Sequence, residues 1–248
     1  MAIAYDSAST QFSATGGNTT ASGSFTCGSG SDRIMFISIS NFSGADDITA
    51  VTYNSVSATL VAKKGFNTLA SPTNYSYLYY LVAPATGSNT LSVTRTNTTS
   101  VMYAMCTTYT GASQTGVPDA YNTGGTDDAA TVSTSVTSIA DNCWTVVAGG
   151  SQRNLSASSG VTVRAGSGTN AVIGDSNAVI TPAGSSSIVL AISGASSRLT
   201  GTIMASFAPT SGTSGPTNLK SLDTNVKANI KSYNTNLIAN VKSINTNA

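Results

Sequence analysis

At 248 residues the chain is long enough for one large domain or two small ones, with material for a substantial core. Hydrophobic residues make up 40%, but charged residues only 8%, against about 25% in ordinary domains. Histidine and glutamate are both missing and the net charge is +1, which excludes Ser-His-Asp and Cys-His catalysis and His-ligated metals, and gives no basis for a nucleic-acid or anionic-membrane surface.

The opening MAIAYDSAST carries neither a basic n-region nor an apolar h-region, so no N-terminal signal peptide is expected. Strand-like runs then recur, each closed by turn residues. RIMFISIS (33–40) precedes NFSGADD, and ITAVTY (48–53) and SATLVA (57–62) flank the turn-like NSV. SYLYYLVA (76–83) runs into Pro84, TLSVTR (90–95) ends at TNTTS, and VMYAMCTTYT (101–110) is the longest. After TGGTDDAA (123–130) come TVSTSV, NCWTVVAGG, GVTVRAG, SIVLAIS and TGTIMASFA. About ten to twelve strands at this spacing predict an all-β, jelly-roll-like β-sandwich over residues 1–208. Period-2 alternation groups Trp144, Val146 and Ala148, then Ile188, Leu190 and Ile192, then Ile203, Ala205 and Phe207, all expected in a core between two sheets.

A Pro/Gly/Ser/Thr-rich linker is read at 209–217, and a tail of 11-residue repeats at 218–248. The repeat is apolar-Lys-Ser-apolar-Asn/Asp-Thr-Asn-apolar-x-Ala-Asn. Read as a helix, it spaces Leu219, Leu222, Val226, Ile230, Tyr233, Leu237, Val241 and Ile244 in a 3-4-4 register. Read as strands, Val226, Ala228 and Ile230 alternate with polar residues, as do Leu237, Ala239 and Val241. Either geometry leaves an amphipathic strip without a core of its own, so Leu222, Val226, Ile230, Tyr233, Leu237, Val241 and Ile244 are the candidate docking residues for a neighbouring subunit. The tail is also the basic end of the chain: four Lys against Asp223 over residues 209–248, while residues 1–208 carry two Lys and five Arg against nine Asp.

Candidate chemistry is sparse. Asp46-Asp47 and Asp127-Asp128 have the residue type for Ca²⁺ or for acid–base work, but both sit in predicted loops and read as solvated turns, with no metal expected. Tyr75, Tyr77 and Tyr79 alternate along one strand face, a possible sugar-stacking row; half-buried packing is the plainer reading. Trp144 reads as core. Cys27, Cys106 and Cys143 form no C-x-x-C pair and read as small buried thiols. No run of 18 apolar residues exists to span a membrane.

VTYNSVSATLVAKKGF, YLYYLVAPATGSNTLSVT, YTGASQTGVPDA and GTIMASFAP together resemble a β-sandwich family widespread in phage and bacterial metagenomic sequences. The tail is similar to 11-residue repeats that end many phage structural and surface proteins, with Asn-Thr or Asp-Thr standing where Asn-Gly is common. The resemblance implies a structural protein without a cofactor, in a virion or outside the cell. The expected function is therefore a non-enzymatic subunit of a phage virion (fibre, decoration or tail component) or of a similar filament. Its partners would be copies of itself or other such subunits. The rival is a carbohydrate-binding adhesin or receptor-binding module, with Tyr75, Tyr77 and Tyr79 meeting a cell-surface glycan.

Overall fold

The computed structural model describes residues 1–66, 74–194 and 199–210. The linker beyond Thr210, the tail and its seven candidate docking residues lie outside the described residues. A compact unit runs from Met1 to Thr210. Among the described residues there is no helix, and seventeen strands pair antiparallel throughout. The protein is all-β, with sandwich-like layers. No helix among these residues is long and apolar enough to cross a membrane.

The first half of the chain supplies β1 (Ala4–Ala8), β2 (Phe12–Ala14), β3 (Thr20–Cys27), β4 (Ile34–Asn41), β5 (Ile48–Tyr53), β6 (Val56–Ser57), β7 (Thr59–Phe66), β8 (Asn74–Val82), β9 (Gly87–Arg95) and β10 (Met102–Thr110). The second half supplies β11 (Ala120–Thr126), β12 (Thr131–Thr137), β13 (Trp144–Ser159), β14 (Thr162–Ala165), β15 (Thr169–Asp175), β16 (Ser185–Ile192) and β17 (Thr200–Phe207). Turn chemistry places the joints. Asn54 and Ser55 both take positive φ (49° and 63°), the two-residue geometry that matches strand twist, and close the β5–β6 hairpin. SATLVA is therefore not one strand: it crosses from one sheet to another at Ala58.

The chain builds the same sandwich twice. In the first half, one sheet runs β1-β10-β4-β8-β7 and the facing sheet runs β3-β9-β5-β6. In the second half, β11-β17-β13-β15-β14 repeats the first order, and β12-β16 pairs with the far end of β13 where β9 pairs with β5. The registers correspond as well. Phe36 sits between Thr107 and Tyr80 as Val146 sits between Ala205 and Asp175. One strand, β13, does the work of both β4 and β5; its register shifts between Gly150 and Leu155, where it leaves one sheet layer for the other.

Three cores follow. Phe25, Met35, Ile37, Ile39, Tyr53, Leu91 and Cys106 fill the first sandwich. Val132, Val147, Leu155, Ile188, Leu190 and Met204 fill the second. Between them, the front sheets of the two halves pack together through Ile34, Phe36, Leu78, Met105 and Tyr109 against Trp144, Val146, Ile173, Ile203 and Phe207. The two front sheets are thus covered on both faces, which is why β4 and β17 are buried at every residue instead of alternating. Trp144, Val146, Ile203 and Phe207 lie in the central core, but Ile188, Leu190 and Ile192 line a different one. Alternation shows which residues share a face; it does not show which sheet that face meets.

The central contact is unusually close and partly polar. Ser38 Oγ donates to the Val172 carbonyl at 2.9 Å, Ser40 Oγ to Gly149 at 3.3 Å, and Ser76 Oγ to Gly201 at 2.8 Å. A Cβ on Gly150 would stand 2.5 Å from both Ser40 Oγ and Ser76 Oγ, so only glycine admits this approach. The outer faces are the opposite in character. On β3 and β9, Thr20, Ser22, Ser24 and Thr26 stand beside Thr94, Ser92, Thr90 and Ser88. On β12 and β16, Ser135 and Thr137 stand beside Ser187 and Ser185, while Thr131 and Ser133 stand beside Ala191 and Val189. Hydroxyls take the place of charge on these exposed strand positions.

Candidate functional site

Tyr75, Tyr77 and Tyr79 do share one face of β8, with neighbouring ring centroids 5.9 and 6.4 Å apart and planes inclined by 34°. The row packs against the first core. Tyr77 is only 1% exposed, while Tyr75 and Tyr79 are half-buried. The Tyr77 hydroxyl donates to Asp46 Oδ1 at 3.0 Å; burial first, and then this carboxylate, push its pKa well above the usual phenol range. Burial and Asp46 raise Tyr79 in the same sense. The middle ring is thus held as part of the scaffold, and the solvent edge of the row belongs to its two outer members.

The Asp46-Asp47 turn is more than a solvated loop. Asp46 also takes an ion pair from Lys63, while Asp47 accepts from the Asn41 side chain at 2.5 Å, Ser43 Oγ at 3.0 Å and the Asn97 amide at 2.7 Å. The two carboxylates point to different partners and tie the turn before β5 to β4, β8 and the β9–β10 loop. Asp127 and Asp128 stay exposed after β11. Among the described residues, no three His, Cys, Asp or Glu side chains gather as metal ligands would. The three thiols are buried and unpaired, with burial pushing both Cys106 and Cys143 up to about 12.

A second place was not legible in the sequence. At one end of the central contact, Phe42, Asn74, Ser100, Val101 and Tyr103 of the first half face Gln152 and Asn170 of the second across a cleft of about 380 Å³. Phe42 is wedged edge-on between Phe66 and Tyr103, at centroid distances of 5.7 and 6.0 Å. Asn74 belongs to the opposite face of β8 from the tyrosine row: it pairs with Phe66 and alternates with Tyr75. Beneath the cleft, buried Arg95 holds the β9–β10 loop by donating to the Ser100 carbonyl, with a second bond to Asn41 Oδ1 at 3.0 Å. These lining residues come from separate segments, and none has a spacing that sequence reasoning can use.

No family model, curated protein or solved structure matches the chain.

Proposed function

We propose that this chain is a non-enzymatic structural subunit of a phage virion, or of a similar extracellular filament, with a rigid double sandwich as its displayed body. The observation that carries the reading is the use of its carboxylates. Asp6, Asp46, Asp47, Asp119, Asp141 and Asp175 each accept hydrogen bonds from backbone amides or side chains that tie strands and loops together. In a chain without His or Glu, most of the described groups suited to acid–base chemistry are thereby committed to the scaffold. The charge-poor hydroxyl faces and the resemblance of residues 51–66, 77–94, 109–120 and 201–209 to a β-sandwich family widespread in phage and bacterial metagenomic sequences favour the same role.

The repeat tail would join neighbouring subunits through Leu222, Val226, Ile230, Tyr233, Leu237, Val241 and Ile244. The test compares the full chain with residues 1–210 by light scattering and negative-stain electron microscopy. Assembly of the full chain alone is expected. Equal assembly of the truncated chain would sink the docking role.

A further inference from the structure

The cleft between the halves combines three properties that point to a ligand. First, it holds polar groups without partners. The Asn74 and Gln152 side-chain amides and the Ser100 and Tyr103 hydroxyls make no hydrogen bond among the described residues, and Asn74 is only 8% exposed. Other amide side chains are used to hold the scaffold: Asn41 holds Asp47 and Ser43, Gln114 donates to two carbonyls, and Asn122 donates to Ser135. These unpaired polar atoms stay open to the cleft, Asn74 from an otherwise buried side chain, so several donors and acceptors converge on one opening where a ligand can meet them.

Second, the described lining is neutral: two amide side chains without a partner among the described residues and one, Asn170, already donating to the Ser151 carbonyl at 3.1 Å. Among the described residues no Lys, Arg or Asp lines the cleft, and the groups that do offer hydrogen bonds without a charge to pair a phosphate or a carboxylate. An amide presents a donor and an acceptor side by side, the complement of adjacent hydroxyls. Third, the half-buried Phe42 and Tyr103 rings give an apolar wall for the C–H face of a ring. A volume of about 380 Å³ lies near the lower end of the roughly 300–1,000 Å³ range of small-molecule sites.

We infer that this cleft binds a neutral saccharide, with Asn74 and Gln152 bonding ring hydroxyls and Tyr103 packing on the sugar face. The site is independent of the scaffold role and lies on the other face of β8 from Tyr75, Tyr77 and Tyr79. Its walls come from both halves, so the doubled sandwich creates a site that one sandwich lacks.

The test is saturation-transfer NMR and calorimetry on the full chain. The probes are glucose, galactose, mannose, N-acetylglucosamine and their β-linked disaccharides, with sialyllactose and adenosine as contrasting arms. Saturable binding of at least one neutral sugar is expected. Gln152→Ala and Asn74→Ala should each weaken it about tenfold, the scale of one lost hydrogen bond of roughly 1.4 kcal/mol. Unchanged amide spectra elsewhere would show that each variant is folded. Failure of every neutral sugar, or preference for sialyllactose or adenosine, would overturn the inference. So would binding that survives both cleft variants but disappears in Tyr79→Ala, since that result assigns the sugar to the tyrosine row. None of these outcomes bears on tail-driven assembly.

Discussion

Tyr109 of the first half donates its hydroxyl to Asp175 Oδ2 of the second at 2.7 Å, and both side chains are fully buried. Arg164 completes the contact with Nε at 2.8 Å and Nη2 at 3.0 Å from the two carboxylate oxygens, while its guanidinium lies 3.9 Å over the Tyr5 ring. The Tyr109 ring meanwhile packs against Phe36, Trp144 and Phe207. One residue therefore joins the halves by both a charged hydrogen bond and an aromatic cluster. Tyr109→Phe keeps the packing and removes the bond, and should cost about 1.5–3 kcal/mol in urea unfolding. Arg164→Met leaves the buried carboxylate without its counter-charge and should cost about 3 kcal/mol or more. A smaller loss for Arg164→Met than for Tyr109→Phe would contradict this ordering.

Gly150→Ala tests the close approach of the front sheets. The added Cβ meets Ser40 Oγ and Ser76 Oγ at 2.5 Å, so either these hydroxyls give up their bonds across the contact or the sheets part. A loss of about 1–3 kcal/mol is expected from overpacking. Ser40→Ala in the same chain should recover part of it, and a double-mutant cycle measures the coupling. Additive losses would show that the contact yields elsewhere.

Alkaline pH should destabilise the fold through groups that are buried protonated. Cys106 is raised to about 12 with burial as the main cause, and Tyr109 is raised by burial and by Asp175. An unfolded thiol titrates near 8.5 and an unfolded phenol near 10. Above those values the unfolded chain releases protons that the folded chain retains, so stability falls as pH rises. The contribution from Cys106 is fully present below about pH 8.5 and is lost progressively toward about 12. Urea unfolding at a series of pH values should show this decline, and Cys106→Ala should make it shallower. An unchanged slope in that variant would remove Cys106 from the account.

Arg95→Lys should loosen the β9–β10 loop. Arg95 is 1% exposed and reaches Asn41, the Asn18 carbonyl at 3.4 Å and the Ser100 carbonyl with one planar fork. An ammonium point charge cannot serve that geometry. We expect a loss of about 2 kcal/mol or more, with faster amide exchange confined to residues 96–101 and their partners. Uniform exchange across both halves would argue against a local role.

Local pattern was enough to show the class and most of the strands. RIMFISIS, TLSVTR and VMYAMCTTYT fall on β4, β9 and β10, and Trp144 and the three cysteines are buried as their apolar settings imply. These features depend on near neighbours in the chain: β-branched and aromatic residues at period two, closed by Gly, Asn and Pro.

The doubling of the sandwich was not visible, because it is carried by hydrogen-bond order and not by residue identity. Phe36 and Val146, or Tyr80 and Asp175, occupy equivalent registers without resembling each other. The same limit applies to the site. Alternation put Tyr75, Tyr77 and Tyr79 on one face, but only the packing of the facing sheet decided that Tyr77 is sealed beneath Asp46. Asp46 and Asp47 read as an exposed pair until β4, β8 and the β9–β10 loop were folded around them. The cleft residues Phe42, Asn74, Tyr103 and Gln152 are up to 110 positions apart, from Phe42 to Gln152, and meet only where the two front sheets end together. By itself, the sequence determined that strands form and which residues share a face. Which faces meet, and what they enclose between them, was decided by long-range pairing and by glycine and serine positions that let two sheets approach.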